Sequence, residues 1–265
     1  MKRILFFCLV SISCSGNTNH KVSLNAEGYQ VVSQSIPDKA VMEGIQEKIN
    51  QMFGEAFMTR TPDAMEGLSS ELEELYKQKN QNLVQYWRAY LQFYKSIYYL
   101  KNGDKKNAEK EIDMGVEWLK GMQGKNSEDY ALLSLLQGFS LQFKGFKVMF
   151  ISSEVKENAK LAITLDSMNL RGYYTFASND FYTPEKYGGG REAERFLLKA
   201  IALPEQSIVN RYTPSWGKQE AYETLINLYI KREQWEQAKS YFQQAIAKYP
   251  DNYQINRMAA KLIGK

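Results

Sequence analysis

From residue 37 onward the apolar positions of this chain fall at helical spacing, and they come as paired stripes. The most regular pair spans residues 219 to 252. Tyr222, Leu225 and Tyr229 mark one face of a first helix, and Ala238, Phe242 and Ala245 mark one face of a second. Pro250 closes the pair, since proline has no N–H to give and disfavours helix in the residue before it. Nearer the start, Pro37-Asp38 opens a helix carrying Val41, Ile45, Ile49, Met52, Phe53 and Phe57. Thr61-Pro62-Asp63 starts the next, with Met65, Leu68, Leu72, Leu75 and Tyr76 on one side. Residues 82 to 100 carry two stripes: Tyr86, Tyr90, Phe93, Ile97 and Leu100, then Trp87, Leu91, Tyr94 and Tyr98. A helix apolar on two sides is either sandwiched or lines a groove.

The stripes repeat. Asn102-Gly103-Asp104 stops the aromatic helix, and Ala108, Ile112 and Gly115 follow the small–large–small spacing of Ala238, Phe242 and Ala245, with Leu119 beyond. Tyr99 precedes Ala108 by nine residues, as Tyr229 precedes Ala238. A third pair runs from about Asp129 to Asp166, through Leu133, Leu136 and Gly138 to Ala159 and Ala162. A fourth runs from Leu170 to Leu203, through Tyr173, Phe176 and Ala177 to Ala193, Leu197 and Ala200. Its connection, Tyr182 to Gly190, is four residues longer than that of the last pair. Small residues let helices approach closely, and one such pair cannot bury its apolar face alone.

The stretch 219–252 resembles the tetratricopeptide repeat, whose signature runs aromatic, Leu, Gly, Tyr, Ala, Phe, Ala, Pro. Ile226 departs from it, standing where the family has Gly or Ala. The resemblance implies an all-α, right-handed α–α superhelix of four to five antiparallel helix pairs, with a capping helix over Tyr253 to Ile263. It also implies that first helices line a concave face. The inward positions are then Tyr90, Phe93, Ile97, Leu135, Phe139, Arg171, Tyr174, Ser178, Phe181, Glu223, Asn227 and Ile230. Such a surface, aromatic at one end and polar at the other, suits a peptide, a partner helix or a glycan.

The N-terminus changes the compartment. Met1-Lys2-Arg3 is positive, Ile4 to Ile12 is apolar and too short to span a bilayer, and Ser11-Ile12-Ser13 precedes Cys14. This resembles a bacterial lipoprotein signal in which Cys14 is lipidated, with Ser11 in place of the preferred Leu; ordinary cleavage is the alternative. The only other cysteine, Cys8, lies inside the apolar run, so a lipid on Cys14 accounts for a thiol that would otherwise be left free. The expected division is a signal peptide over 1–13, a tether over 14–36 and a repeat domain over 37–265, placed in the bacterial envelope, on the periplasmic side of the outer membrane or free in the periplasm. Without Lys2 and Arg3 the 34 basic residues become 32 against 30 acidic ones. That small excess gives no reason to expect nucleic acid.

Little in the sequence points to chemistry. His20, the only histidine, lies in the tether, which removes Ser–His and Cys–His catalysis and a His-ligated metal site from the folded part. Glu71, Glu73 and Glu74 read as a solvated helix face. Gly188-Gly189-Gly190 before a helix, with Tyr187 and Arg191 beside it, could hold an anion on free amides; the alternative is a tight turn in an enlarged loop. The Pro, Tyr-Gly-Gly, Ala-helix order here is similar to that of bacterial envelope proteins with these repeats, including the lipoprotein component of some periplasmic substrate transporters. The expectation is a non-catalytic envelope lipoprotein, without cofactor or metal, that binds a protein or peptide in its concave groove. A ligand-binding auxiliary subunit of an envelope transport or glycan-uptake system is the alternative, favoured by a closed pocket with Tyr174 and Phe181 at its mouth. A self-associating scaffold is the third class, and the sequence leaves the oligomeric state open.

Overall fold

The computed structural model describes residues 39–145, 148–205 and 211–265. The expected signal peptide, Cys14 and the expected tether lie outside them. Every element among the described residues is helical. Five antiparallel pairs follow one another: α2 (Ile45–Thr59) with α3 (Asp63–Lys79), α4 (Asn82–Lys101) with α5 (Lys105–Gly121), α6 (Ser127–Ser140) with α7 (Val148–Leu165), α8 (Leu170–Tyr182) with α9 (Ala193–Ala202), and α10 (Lys218–Lys231) with α11 (Trp235–Lys248). A short α1 (Lys39–Met42) precedes the stack, and α12 (Tyr253–Arg257) with α13 (Ala259–Leu262) closes it.

The packing rule read from the last pair holds along the stack. Ala108, Ala159, Ala162, Ala193, Ala200, Ala238 and Ala245 are all fully buried. A methyl group added at Gly115 would come within 2.9 Å of Leu136 and 3.2 Å of the Ala89 carbonyl, so only hydrogen fits where α5 meets α4 and α6. Ile226, the residue that departs from the repeat signature, is fully buried beside Tyr222, Ala245, Ile255 and Met258. Its extra bulk is what the closing helices cover.

Two elements differ from their expected form. The first helix breaks at Gly44, whose φ of 64° is left-handed, and the Lys48 ammonium then donates to the freed carbonyls of Ala40 (2.6 Å) and Val41 (3.1 Å). The closing helix divides into two short pieces at Met258.

α4 is the centre of the molecule, with every residue from Val84 to Tyr98 buried between α2, α3, α5 and α6. Its apolar stripes supply most of that burial, each large side chain contributing about 1.5–3 kcal/mol. Several of its polar residues find partners, whereas the buried side-chain oxygen of Gln92 has none. Lys95 reaches Glu66 at 2.9 Å and Glu111 at 3.1 Å. Arg88 lies over the rings of Tyr76 (4.7 Å) and Trp118 (4.1 Å), and the Ser96 hydroxyl donates to the Ala108 carbonyl at 2.6 Å. The alkyl stems of Lys95 and Arg88 fill space while their heads find partners on α3 and α5.

Candidate functional site

The inner face of the stack is built from α2, α4, α6, α8 and α10, as the repeat spacing demands. It is not an open groove. The connection between α9 and α10 returns across it, and residues 211–217 (Arg-Tyr-Thr-Pro-Ser-Trp-Gly) lie on the inner helices. Trp216 is the anchor. Its ring stacks on Tyr90 (centroids 6.1 Å apart, planes 23° apart) and meets Tyr174 edge-on at 6.2 Å. Its indole N–H donates to the Tyr86 hydroxyl at 2.8 Å. The Arg171 guanidinium lies 5.8 Å over the same ring, donates to the Trp216 carbonyl at 3.1 Å, and is held on its other side by both oxygens of Glu128. Burial works to lower the Arg171 pKa, but Glu128 outweighs it, so the guanidinium stays charged inside.

Further along the strap, the Trp87 indole donates to the Tyr212 carbonyl at 2.8 Å, and the Tyr212 hydroxyl donates to Glu43 at 2.9 Å. The Ser215 amide donates to the Gln46 side chain at 2.8 Å. Gly217 ends the strap with a φ of 107°, and a methyl group there would come within 2.9 Å of both Leu170 and Arg171. Only glycine lets the chain turn into α10 so close to α8.

The inward positions therefore divide. Tyr90, Phe93, Ile97, Leu135, Phe139, Arg171, Tyr174, Ser178 and Glu223 are buried. Phe93 and Phe139 pack on each other edge-to-face at 5.2 Å, while Tyr90, Arg171 and Tyr174 are covered by the strap. Phe181, Asn227 and Ile230 remain half-buried, at the far end of α8 and α10. Tyr174 is thus no pocket mouth, because Trp216 covers it. The strap is not among the residues that the sequence pattern singles out. Its one signal there is a connection of fifteen residues, from Leu203 to Gly217, carrying two prolines and two large aromatics, in an array where short turns are the rule.

The glycine loop resolves differently from an anion site. Asp180, buried on α8, accepts from the amides of Glu192 (2.8 Å) and Ala193 (2.9 Å) at the start of α9. The position an anion would take is filled by this chain's own carboxylate. Gly188 and Gly190 have φ values of 84° and 77°, and a methyl group on Gly189 would lie 1.9 Å from the Thr183 carbonyl oxygen. The loop presents Tyr187 and Arg191 to solvent and is tied to the last pair, where Arg232 donates to the Gly190 carbonyl at 2.9 Å and Lys231 pairs with Glu185 at 3.3 Å.

Two further features lie outside this face. Asp129, in the capping box of α6, has its carboxyl pushed up to about 6 by burial. A cleft of about 210 Å³ between α5, α6 and α7 is bridged by the Lys120–Glu154 ion pair at 2.7 Å and lined by Tyr130, Leu133 and Leu161. No group of three or more His, Cys, Asp or Glu placed to hold a metal ion occurs among the described residues. Nor is any described helix long and apolar enough to cross a membrane.

No known family model matches this chain, and no curated protein matches it in sequence. A solved structure similar to it is that of a thermophilic TPR protein in Thermus thermophilus, 15% identical, with a TM-score of 0.53 over 81% of this chain and 99% of that one. At that identity the likeness speaks to fold. The chain is a TPR-like helical protein, and its paired helices form an all-α superhelical solenoid.

Proposed function

We propose that the protein is a non-catalytic interaction module of the bacterial cell envelope, anchored through a lipid on Cys14, which engages a protein or peptide partner along its inner face. The observation that carries this reading is the strap itself. Side chains of the inner helices hold the main chain of a non-helical segment, which is what a peptide-binding face must do. The half-buried rim of Phe181, Asn227 and Ile230, with Tyr187 exposed beside it, is where a partner first meets this face. The TPR-like fold, widely used for protein–protein contacts, supports the same reading.

The test is pull-down from solubilised envelopes with the full chain as bait, beside a Phe181→Ala/Ile230→Asp variant. Partners recovered by the first and lost from the second support the reading; recovery unchanged in the variant, or absent from both, removes it. Anchoring has a separate test. Cys14→Ser is expected to move the protein from the membrane fraction to the soluble one, and persistence in the membrane fraction refutes lipidation.

A further inference from the structure

The strap is held through its main chain as well as through its side chains. Elsewhere on the inner face the helices pack directly, as Phe93 does on Phe139. Across the strap, three helices each offer one side chain to its main chain. Gln46 of α2 accepts from the Ser215 amide, Trp87 of α4 donates to the Tyr212 carbonyl, and Arg171 of α8 donates to the Trp216 carbonyl. Main-chain groups are common to every peptide, so these contacts fix the course of the backbone without reading sequence. Sequence is read at two side chains: the Tyr212 hydroxyl donates to Glu43, and Trp216 is the larger anchor. The Trp216 ring fills a slot walled by Tyr90 and Tyr174, and the Tyr86 hydroxyl takes its N–H. Pro214, buried two residues earlier, stiffens the approach.

We propose that residues 211–217 are an intramolecular pseudo-ligand, occupying a slot that takes a peptide with tryptophan two residues after proline, and that a partner segment of this chemistry displaces them. This rests on the inner-face reading above and adds to it the partner's chemistry and the control of access. Because the strap is joined to the fold at both ends, it competes at an effective concentration on the order of millimolar. A free segment with the same contacts therefore binds poorly until the strap's anchors are weakened.

The probe is a fluorescein-labelled heptapeptide with the sequence of residues 211–217, titrated by anisotropy into the full chain and into a Tyr212→Ala/Trp216→Ala variant. The variant, once shown helical by circular dichroism, is expected to bind at least tenfold more tightly than the unaltered chain. The same peptide with its tryptophan replaced by alanine is expected to lose at least tenfold on the variant. Equal binding to both chains overturns the proposal, as does a folded variant that ignores the peptide. A variant that dimerises without taking peptide makes the face an interface between copies, and the proposal falls. Should the variant not fold, hydrogen exchange on the unaltered chain decides. Saturating peptide must speed exchange of the Ser215 amide, and unchanged exchange overturns the displacement. Partners recovered through Phe181 and Ile230 alongside a negative peptide result leave the interaction reading standing and remove only the pseudo-ligand.

Discussion

Trp216→Ala is the most direct probe of the strapped inner face. A buried tryptophan removes about 150–250 Å² from water, worth roughly 4–6 kcal/mol at about 25 cal/mol per Å². Truncation to alanine keeps part of the backbone contact, and such changes cost about 3–5 kcal/mol in cores. Here Trp216 is 4% exposed, and its loss also strips the Tyr86 hydroxyl of its indole donor, adding about 1 kcal/mol. We therefore expect a loss of about 4 kcal/mol by equilibrium urea unfolding, followed by far-UV circular dichroism, with Tm falling by about 10 °C. Trp216→Phe keeps most of the ring area and loses the N–H, so its cost should be about 1–2 kcal/mol. A double-mutant cycle with Tyr86→Phe isolates that hydrogen bond and should give a coupling of about 1 kcal/mol. A Trp216→Ala cost below about 1 kcal/mol, or no coupling to Tyr86, would refute the assignment of this residue as the anchor.

Three other outcomes are expected. Asp129 titrates near 6 when folded, against an ordinary value of 3.8, so the folded chain holds a proton that the unfolded chain has released. Its contribution therefore makes stability fall as pH rises from about 4 to about 6, by up to about 3 kcal/mol, and Asp129→Asn should remove that slope from urea midpoints measured across the window. Asp180→Ala leaves the Glu192 and Ala193 amides without their carboxylate, at a cost of about 3 kcal/mol; Asp180→Asn, keeping one acceptor, should cost about half, both read from thermal unfolding. Gly189→Ala places a methyl group inside contact distance of Thr183, and should cost about 3 kcal/mol with faster hydrogen exchange over residues 183–193; a neutral substitution would show that the turn is looser than described.

The paired helices are legible in the sequence because their information is local. Ala238, Phe242 and Ala245 set a spacing that Ala108, Ile112 and Gly115 repeat, and the burial of α4 on all sides follows from its two stripes. The strap is not legible, because its hydrogen bonds to Glu43, Gln46, Tyr86, Trp87 and Arg171 span 45 to 169 positions and follow no period. Helical spacing assigns inward positions such as Tyr90 and Tyr174 to the correct face, but the burial conferred by Trp216 is a tertiary fact that spacing does not encode. The glycine loop shows the same limit in miniature. Its turn is readable from Gly188 to Gly190, whereas the carboxylate filling the helix start comes from Asp180, ten residues before Gly190 and on another helix. The break at Gly44 belongs here too, since glycine alone permits but does not require it.

A helical array in which each unit touches only its neighbours can fray from either end, shedding outer units while the middle stays folded. This chain closes that route. Tyr212 and Ser215 hold Glu43 and Gln46, so the entry to the fifth helix pair is fastened to the start of the first. The two ends form one cooperative unit: opening the N-terminal pair breaks the contacts that seat the strap, and releasing the strap uncovers the N-terminal pair. Such a chain gives up the rapid, piecemeal assembly of a linear stack, because the connection between its fourth and fifth pairs must travel back to the start of the first pair before either is secure. It gains a single unfolding transition, in which protection from exchange at Ser215 and at the amides of α2 is lost together.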